Sequence, residues 1–242
     1  MTRRIEFINP FGTPAYDAIV RETLAAYAGE ATELVVSSLE GCPPNIDYYY
    51  VGCCYDPGVR VARELVGIPV IGPLEASMQM AGYFGHSYTI VTDHHKAVPY
   101  LEDMVRLYGL GGNCRGVRCV NWWVKDMVKD PDQVALDTIA VAKQVLAETR
   151  AEVTVMGCTI VAACYQRFLM TRKAKPEVAI VNPNLLALKM AEGLADLKRS
   201  GVYHLARDGY YEQPAGPYRE EFEQQRRHVA RSLGLRSRSA AE

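Results

Sequence analysis

Tyr50-Val51-Gly52-Cys53 and Val155-Met156-Gly157-Cys158 are two short apolar runs that each stop at a Gly-Cys pair. Apolar, β-prone runs halted by glycine read as buried strands entering loops. Downstream, Val70-Ile71-Gly72-Pro73 answers Ile180-Val181-Asn182-Pro183, with the proline 20 residues after the first cysteine and 25 after the second. An internal repeat of this kind predicts two units of one architecture. In open α/β sheets, ligands bind beyond the carboxyl ends of parallel strands. Each unit therefore places one cysteine where a ligand would lie, and pseudo-symmetry would face the two thiols across one cleft.

Outward from the repeat, strand-like runs fall at 4–8, 33–37, 48–52, 69–71, 87–91, 114–120, 153–156 and 178–181. Helical patterns fall at 16–28, 59–66, 76–84, 98–108, 131–150 and 185–197, and a further helix is expected to start after Cys158. In the first of them Tyr16, Ile19, Val20, Thr23, Leu24 and Tyr27 recur at helical spacing. Strands alternating with helices predict an α/β fold of mainly parallel sheets. The expectation is two pseudo-symmetric Rossmann-like (flavodoxin-like) lobes with the site between them. The lobes are placed at 1–96 and 97–204, with 205–242 completing the first. In that extension 210–218 reads as loop and 220–233 as a charged helix. Its Arg226, Arg227 and Arg231 would form a solvated face or an oligomer contact.

Composition narrows the function. The chain has 242 residues, 23 % of them charged and 49 % apolar, with a net charge of −1. That is ordinary globular composition, and it argues against a strongly basic nucleic-acid binder. The longest apolar stretch, 153–165, is too short to cross a bilayer. No apolar signal core follows Met1-Thr2-Arg3-Arg4-Ile5-Glu6, so a cytoplasmic protein is expected. The seven cysteines are an odd set without Cys-x-x-Cys spacing, which disfavours a disulfide framework and a zinc site. Gly-x-Ser-x-Gly, Gly-x-Gly-x-x-Gly and phosphate-loop motifs are absent, disfavouring a serine hydrolase or a nucleotide cofactor.

Two opposed thiols suit racemisation. One thiolate removes a proton from a carbonyl-activated carbon and a thiol on the other face returns one, with no metal or cofactor. The pKa of each thiol must be lowered, which a helix N-terminus and backbone N–H groups can do. Gly52 and Gly157 would let the backbone approach a ligand. Trp122 and Trp123 are read as core residues or pocket walls.

The motifs resemble the aspartate/glutamate racemase superfamily, within it the hydantoin racemase-like branch that includes allantoin racemases. The resemblance runs from about Ile5 to about Leu197. It is carried by Ile8-Asn9-Pro10, Gly52-Cys53-Cys54-Tyr55-Asp56-Pro57-Gly58, Pro69-Val70-Ile71-Gly72, Tyr88-Thr89-Ile90-Val91-Thr92 and Gly157-Cys158-Thr159. It implies Cys53 and Cys158 as catalytic acid and base. It places Asn9, Thr92 and Thr159 at substrate-contacting positions, with Phe11, Cys54 and Asp93 beside them. Phe11-Gly12 and Asp93-His94-His95 depart from the branch's usual pattern. The implied enzyme is a cofactor-independent isomerase of a small molecule, a 5-substituted hydantoin or allantoin. It would be a homo-oligomer with no nucleic-acid or membrane partner. The alternatives are a maleate-type cis–trans isomerase, a decarboxylase of arylmalonates (disfavoured by Cys53), or a small-molecule binder without turnover.

Overall fold

The computed structural model describes residues 2–9, 14–38, 48–202, 204–213 and 215–232. In chain order the elements are β1 (Arg3–Asn9), α1 (Asp17–Ala25), β2 (Thr32–Ser38), β3 (Tyr48–Val51), α2 (Val59–Leu65), β4 (Val70–Ile71), α3 (Pro73–Ala81), β5 (Tyr88–Thr92) and α4 (Ala97–Leu107). There follow β6 (Cys114–Cys119), α5 (Val124–Met127), α6 (Pro131–Thr149), β7 (Val153–Met156), α7 (Thr159–Arg172), β8 (Ile180–Val181), α8 (Pro183–Arg199) and α9 (Pro217–Ser232). Among the described residues no helix is long and apolar enough to cross a membrane.

The strands form two four-stranded sheets, ordered β2-β1-β3-β4 and β6-β5-β7-β8. Every recorded strand pairing is parallel. This is the expected α/β class, and the same order appears twice. In each sheet the chain reverses its direction of travel between the first strand and the third, and such a switch point opens a crevice at the carboxyl ends. Strands β5 and β7 are buried at every position, as strands covered on both faces are.

Helix starts follow local chemistry. Pro73, Pro131 and Pro183 each occupy the first turn, where a missing N–H costs nothing. The Asn182 side chain accepts from the Asn184 and Leu185 N–H groups. Asp130 does the same for Gln133. Helix α7 is buried on nearly all sides from Thr159 to Gln166 and packs against α1, α6 and α8. A helix apolar all round belongs in the interior, and it carries no 3.6-residue stripe by which its end could be read.

The division expected at residue 96 does not follow the sheets. β5 pairs with β6 and β7, so the second sheet already begins at Tyr88. The helices also change sides. Leu74, Met78 and Ala81 of α3 pack with Tyr88, Ile90, Val153 and Val155 of the second sheet. Helix α8, expected in the second lobe, lies against β1, β3 and β4 of the first. Each sheet is thus covered in part by the helix that follows the other sheet's last strand, which ties the two halves together. In the C-terminal segment, Arg207 donates to the carbonyls of Arg63, Glu64 and Val66 beside α2. The side chains of Arg226, Arg227 and Arg231, and all of Cys42, lie outside the described residues.

Candidate active site

Gly52 and Gly157 end their strands in the same way. The Gly52 N–H donates to the Ile8 carbonyl at 2.7 Å, and the Gly157 N–H donates to the Val91 carbonyl at 2.8 Å. Each Gly-Cys step therefore leaves the sheet beside the end of the central strand, next to Asn9 in one half and Thr92 in the other. The glycines are needed for space within the protein. A Cβ on Gly52 would stand 2.3 Å from the Phe7 ring and 2.8 Å from the Ile8 carbonyl oxygen. One on Gly157 would stand 2.7 Å from Ile90 Cγ2 and 2.8 Å from Leu101 Cδ1.

The two halves meet at these loops. The Thr159 hydroxyl, at the start of α7, donates to the Gly52 carbonyl at 2.8 Å. The Asn184 side chain, at the start of α8, donates to the Thr159 carbonyl at 2.8 Å. The Thr92 hydroxyl lies 3.1 Å from the Gly157 carbonyl and 2.9 Å from Asp93 Oδ1, sharing one proton between two acceptors. Thr92 and Thr159, placed at ligand-contacting positions by the resemblance, thus spend their hydroxyls on the backbone before each cysteine. They are fully buried, and act as positioning residues.

Cys53 is 8 % exposed and Cys158 is 6 % exposed. They lie near enough that charge on Cys53 disfavours charge on Cys158. Burial pushes the Cys53 thiol up to about 12; the Tyr55 N–H opposes this, and the Asp56 and Asp93 carboxylates add to it. Burial also raises Cys158 well above the usual thiol range, with Asp93 adding to the rise and the Val161 and Ile160 N–H groups opposing it. The expected help from helix N–H groups is therefore present at Cys158, which caps α7. It is outweighed by desolvation. Cys53 has no such helix, because α2 starts only after the left-handed turn at Gly58.

The remaining candidates divide. Asp93, 3 % exposed, joins the thiols: its Oδ1 accepts from Thr92 and, at 3.3 Å, from the Tyr55 hydroxyl. His94 Nε2 lies 3.7 Å from Asp93 Oδ2, and its ring stacks on Trp123 at 4.4 Å. Asn9 is buried at the end of β1 and donates to Asp17 at 2.9 Å. Cys54 is 1 % exposed, packs with Leu74, Ile90 and Val155, and its thiol approaches the Met156 carbonyl at 3.7 Å; burial raises it well above the usual thiol range, and charge on Cys158, Asp56, Cys53 and Asp93 adds to the rise. It packs in the core of the second sheet. Phe11 lies outside the described residues. Trp122 faces inward and donates to Asp137 at 2.8 Å, whereas Trp123 is 43 % exposed beside His94.

Three residues that were not singled out complete the surroundings. Tyr55 reaches Asp93, stacks on Tyr100 at 5.0 Å and accepts the Tyr100 hydroxyl at its carbonyl. Tyr16 lies close enough to Cys158 for a thiolate there to raise its phenol. Asp56, held at φ 46°, accepts from the Leu74 and Glu75 N–H groups and the Tyr108 hydroxyl, at 3.1, 2.9 and 2.8 Å. Burial lifts this carboxyl to about 6 against the pull of those donors, so it is ionised at neutral pH. It fixes the Cys53 loop to the start of α3. Asp56→Ala is expected to cost about 2 kcal/mol, the range for a lost cap plus buried donors left unpaired. A lower urea midpoint at unchanged m-value would show it; an unchanged midpoint would mean that the loop is held by other contacts.

A cavity of about 320 Å³ lies elsewhere, against the outer edge of the first sheet, between Val70, Met190 and Arg207. Neither cysteine lines it.

Fold and site together define a class: a two-sheet parallel α/β protein with a buried thiol just past an equivalent strand end in each sheet. The Asp/Glu/Hydantoin racemase family model matches residues 5–191. The hydantoin racemase of Rhizobium meliloti is 32 % identical over 189 residues, 77 % of this chain and 74 % of that protein. The chain belongs to the Asp/Glu/Hydantoin racemase family. Among solved structures, the allantoin racemase from Klebsiella pneumoniae superposes with a TM-score of 0.75 at 21 % identity, covering 90 % of this chain and 98 % of that one. The allantoin racemase from Pseudomonas fluorescens does so at 0.74 and 24 % identity, covering 88 % and 97 %. These likenesses are of fold.

Proposed function

We propose that the protein is a cofactor-independent racemase that uses Cys53 and Cys158 as acid and base on a carbonyl-activated carbon. A 5-substituted hydantoin or allantoin is the substrate that its relatives favour. The observation that supports the proposal is the presence of a buried Gly-Cys thiol at equivalent strand ends of the two sheets. In the step, the thiolate of one cysteine takes the proton on C5. The C–H electron pair moves into the adjacent carbonyl as an enolate. The thiol of the other cysteine then protonates the opposite face, and the carbonyl re-forms. The first sulfur ends as thiol and the second as thiolate, so charge and protons balance. The opposite enantiomer runs the same exchange backwards.

Incubation in deuterated solvent with a panel of 5-alkylhydantoins, allantoin, free amino acids and maleate tests this. Deuterium should enter C5 of a hydantoin or of allantoin as optical rotation is lost. Conversion of maleate to fumarate, with the ring compounds inert, would count against it. Both free thiols sit high, Cys53 at about 12, so kcat/KM corrected for substrate ionisation should climb from neutral pH without levelling off near it. A plateau reached below pH 8 would show that neither buried thiol supplies the base.

A further inference from the structure

Asp93 is a carboxylate where a thiolate must form. Covalent and hydrogen-bond geometry fix it between the two Gly-Cys loops. Thr92, its chain neighbour, holds the Gly157 carbonyl at 3.1 Å, and the hydroxyl of Tyr55, two residues past Cys53, reaches Asp93 Oδ1 at 3.3 Å. Among the described residues Oδ1 takes two hydrogen bonds, while Oδ2 makes none and lies 3.7 Å from His94 Nε2, within ion-pair reach of a protonated imidazole. The carboxylate opposes ionisation of Cys53 and Cys158 alike. Among the described residues, the nearby cations have other partners: Arg63 pairs with Glu75, Arg60 lies over Tyr108, and Lys96 lies over Trp123.

A buried anion beside the reacting sulfurs works against the base unless a bound molecule brings donors to it. We propose that Asp93 sets the charge class of the substrate, accepting an N–H of a neutral, N–H-rich ring and turning away molecules that carry a carboxylate near the reacting carbon. The inference rests on the racemase reading above and names what that site selects. A cyclic ureide presents N–H groups beside its acidic carbon and no full negative charge, so it satisfies Oδ2. An α-amino dicarboxylate would set two like charges together in a dry site, which costs more than a neutral contact can return.

The test compares a neutral 5-alkylhydantoin with a hydantoin bearing a carboxymethyl group at C5, in wild type and in Asp93→Asn. The amide keeps an oxygen for Thr92 and Tyr55 and removes the charge. Wild type should favour the neutral ring at least tenfold in kcat/KM, and Asp93→Asn should narrow that ratio about tenfold or more. Calorimetric binding of the same two compounds reads the preference independently of turnover and, in wild type, independently of any variant. Deuterium exchange absent with both compounds, alongside a neutral-over-anionic binding preference, would fault the racemase reading and leave the charge selection standing. Equal binding of the two compounds by wild type would overturn the proposal. So would a ratio unmoved by Asp93→Asn in a folded variant.

Discussion

Cys53→Ser and Cys158→Ser should each lower racemisation by roughly 10³-fold, within the range that a positioned acid or base contributes. The cause is chemical. A serine hydroxyl is a far weaker acid than a thiol, so it does not form the base, and it is a poor donor toward the enolate. The thiols already lie high, Cys53 at about 12, so neither has reserve to absorb a further rise. Both sites are tightly packed, and oxygen for sulfur is a small change in volume. Stability should therefore alter by much less than activity, and thermal melts beside the kinetics separate the two. Cys54→Ser is the internal control. That thiol packs among Leu74, Ile90 and Val155, so its loss should register more in the melt than in the proton-transfer step. Normal racemisation by either Cys53→Ser or Cys158→Ser would dismiss the paired-thiol account.

The glycines before the cysteines carry the second large effect. Gly52→Ala pushes a methyl group to within 2.3 Å of the Phe7 ring, which is 1 % exposed, and to 2.8 Å from a backbone oxygen. Gly157→Ala meets Ile90, Leu101 and Thr92 at 2.7–3.1 Å. None of these neighbours is the free end of a flexible surface chain, so the strand ends must part. Overpacking of this kind costs about 3 kcal/mol, and it displaces the cysteine that follows. Stability and activity should fall together, unlike in the serine variants. Gly193 of α8 provides the contrast: nothing lies within 4 Å of its added Cβ. Gly193→Ala should stabilise by about 0.5–1 kcal/mol through helix propensity alone. Urea denaturation of the three variants checks both signs, and a stable, active Gly52→Ala would show that the Phe7 contact yields easily.

Much of this arrangement could be read from sequence because it is local or repeated. Gly52-Cys53 and Gly157-Cys158 announce themselves as strand ends, and Pro73 and Pro183 mark helix starts whatever surrounds them. The parallel α/β class follows from alternation. What escaped the sequence is tertiary. Nothing in residues 73–81 says that α3 covers the second sheet, because an apolar stripe specifies burial and not its partner. For the same reason nothing in residues 88–92 says that β5 pairs with β6 and β7. Tyr55 and Asp93 meet across 38 residues of chain, and no period links them. The pair Cys53-Cys54 offers two thiols, and nothing in the sequence shows that Cys54 packs among Leu74, Ile90 and Val155. Thiol acidity failed as an expectation because desolvation depends on everything packed around the sulfur, while sequence shows only the helix start.

Stereospecific deuterium uptake by the two serine variants, measured with each pure enantiomer of a turned-over hydantoin, tests most directly whether the two sulfurs address opposite faces of one carbon. The account predicts a crossed pattern, in which Cys53→Ser still exchanges the C5 proton of one enantiomer and Cys158→Ser that of the other, with neither inverting it. Exchange of the same enantiomer by both variants, or full racemisation by either, would contradict it.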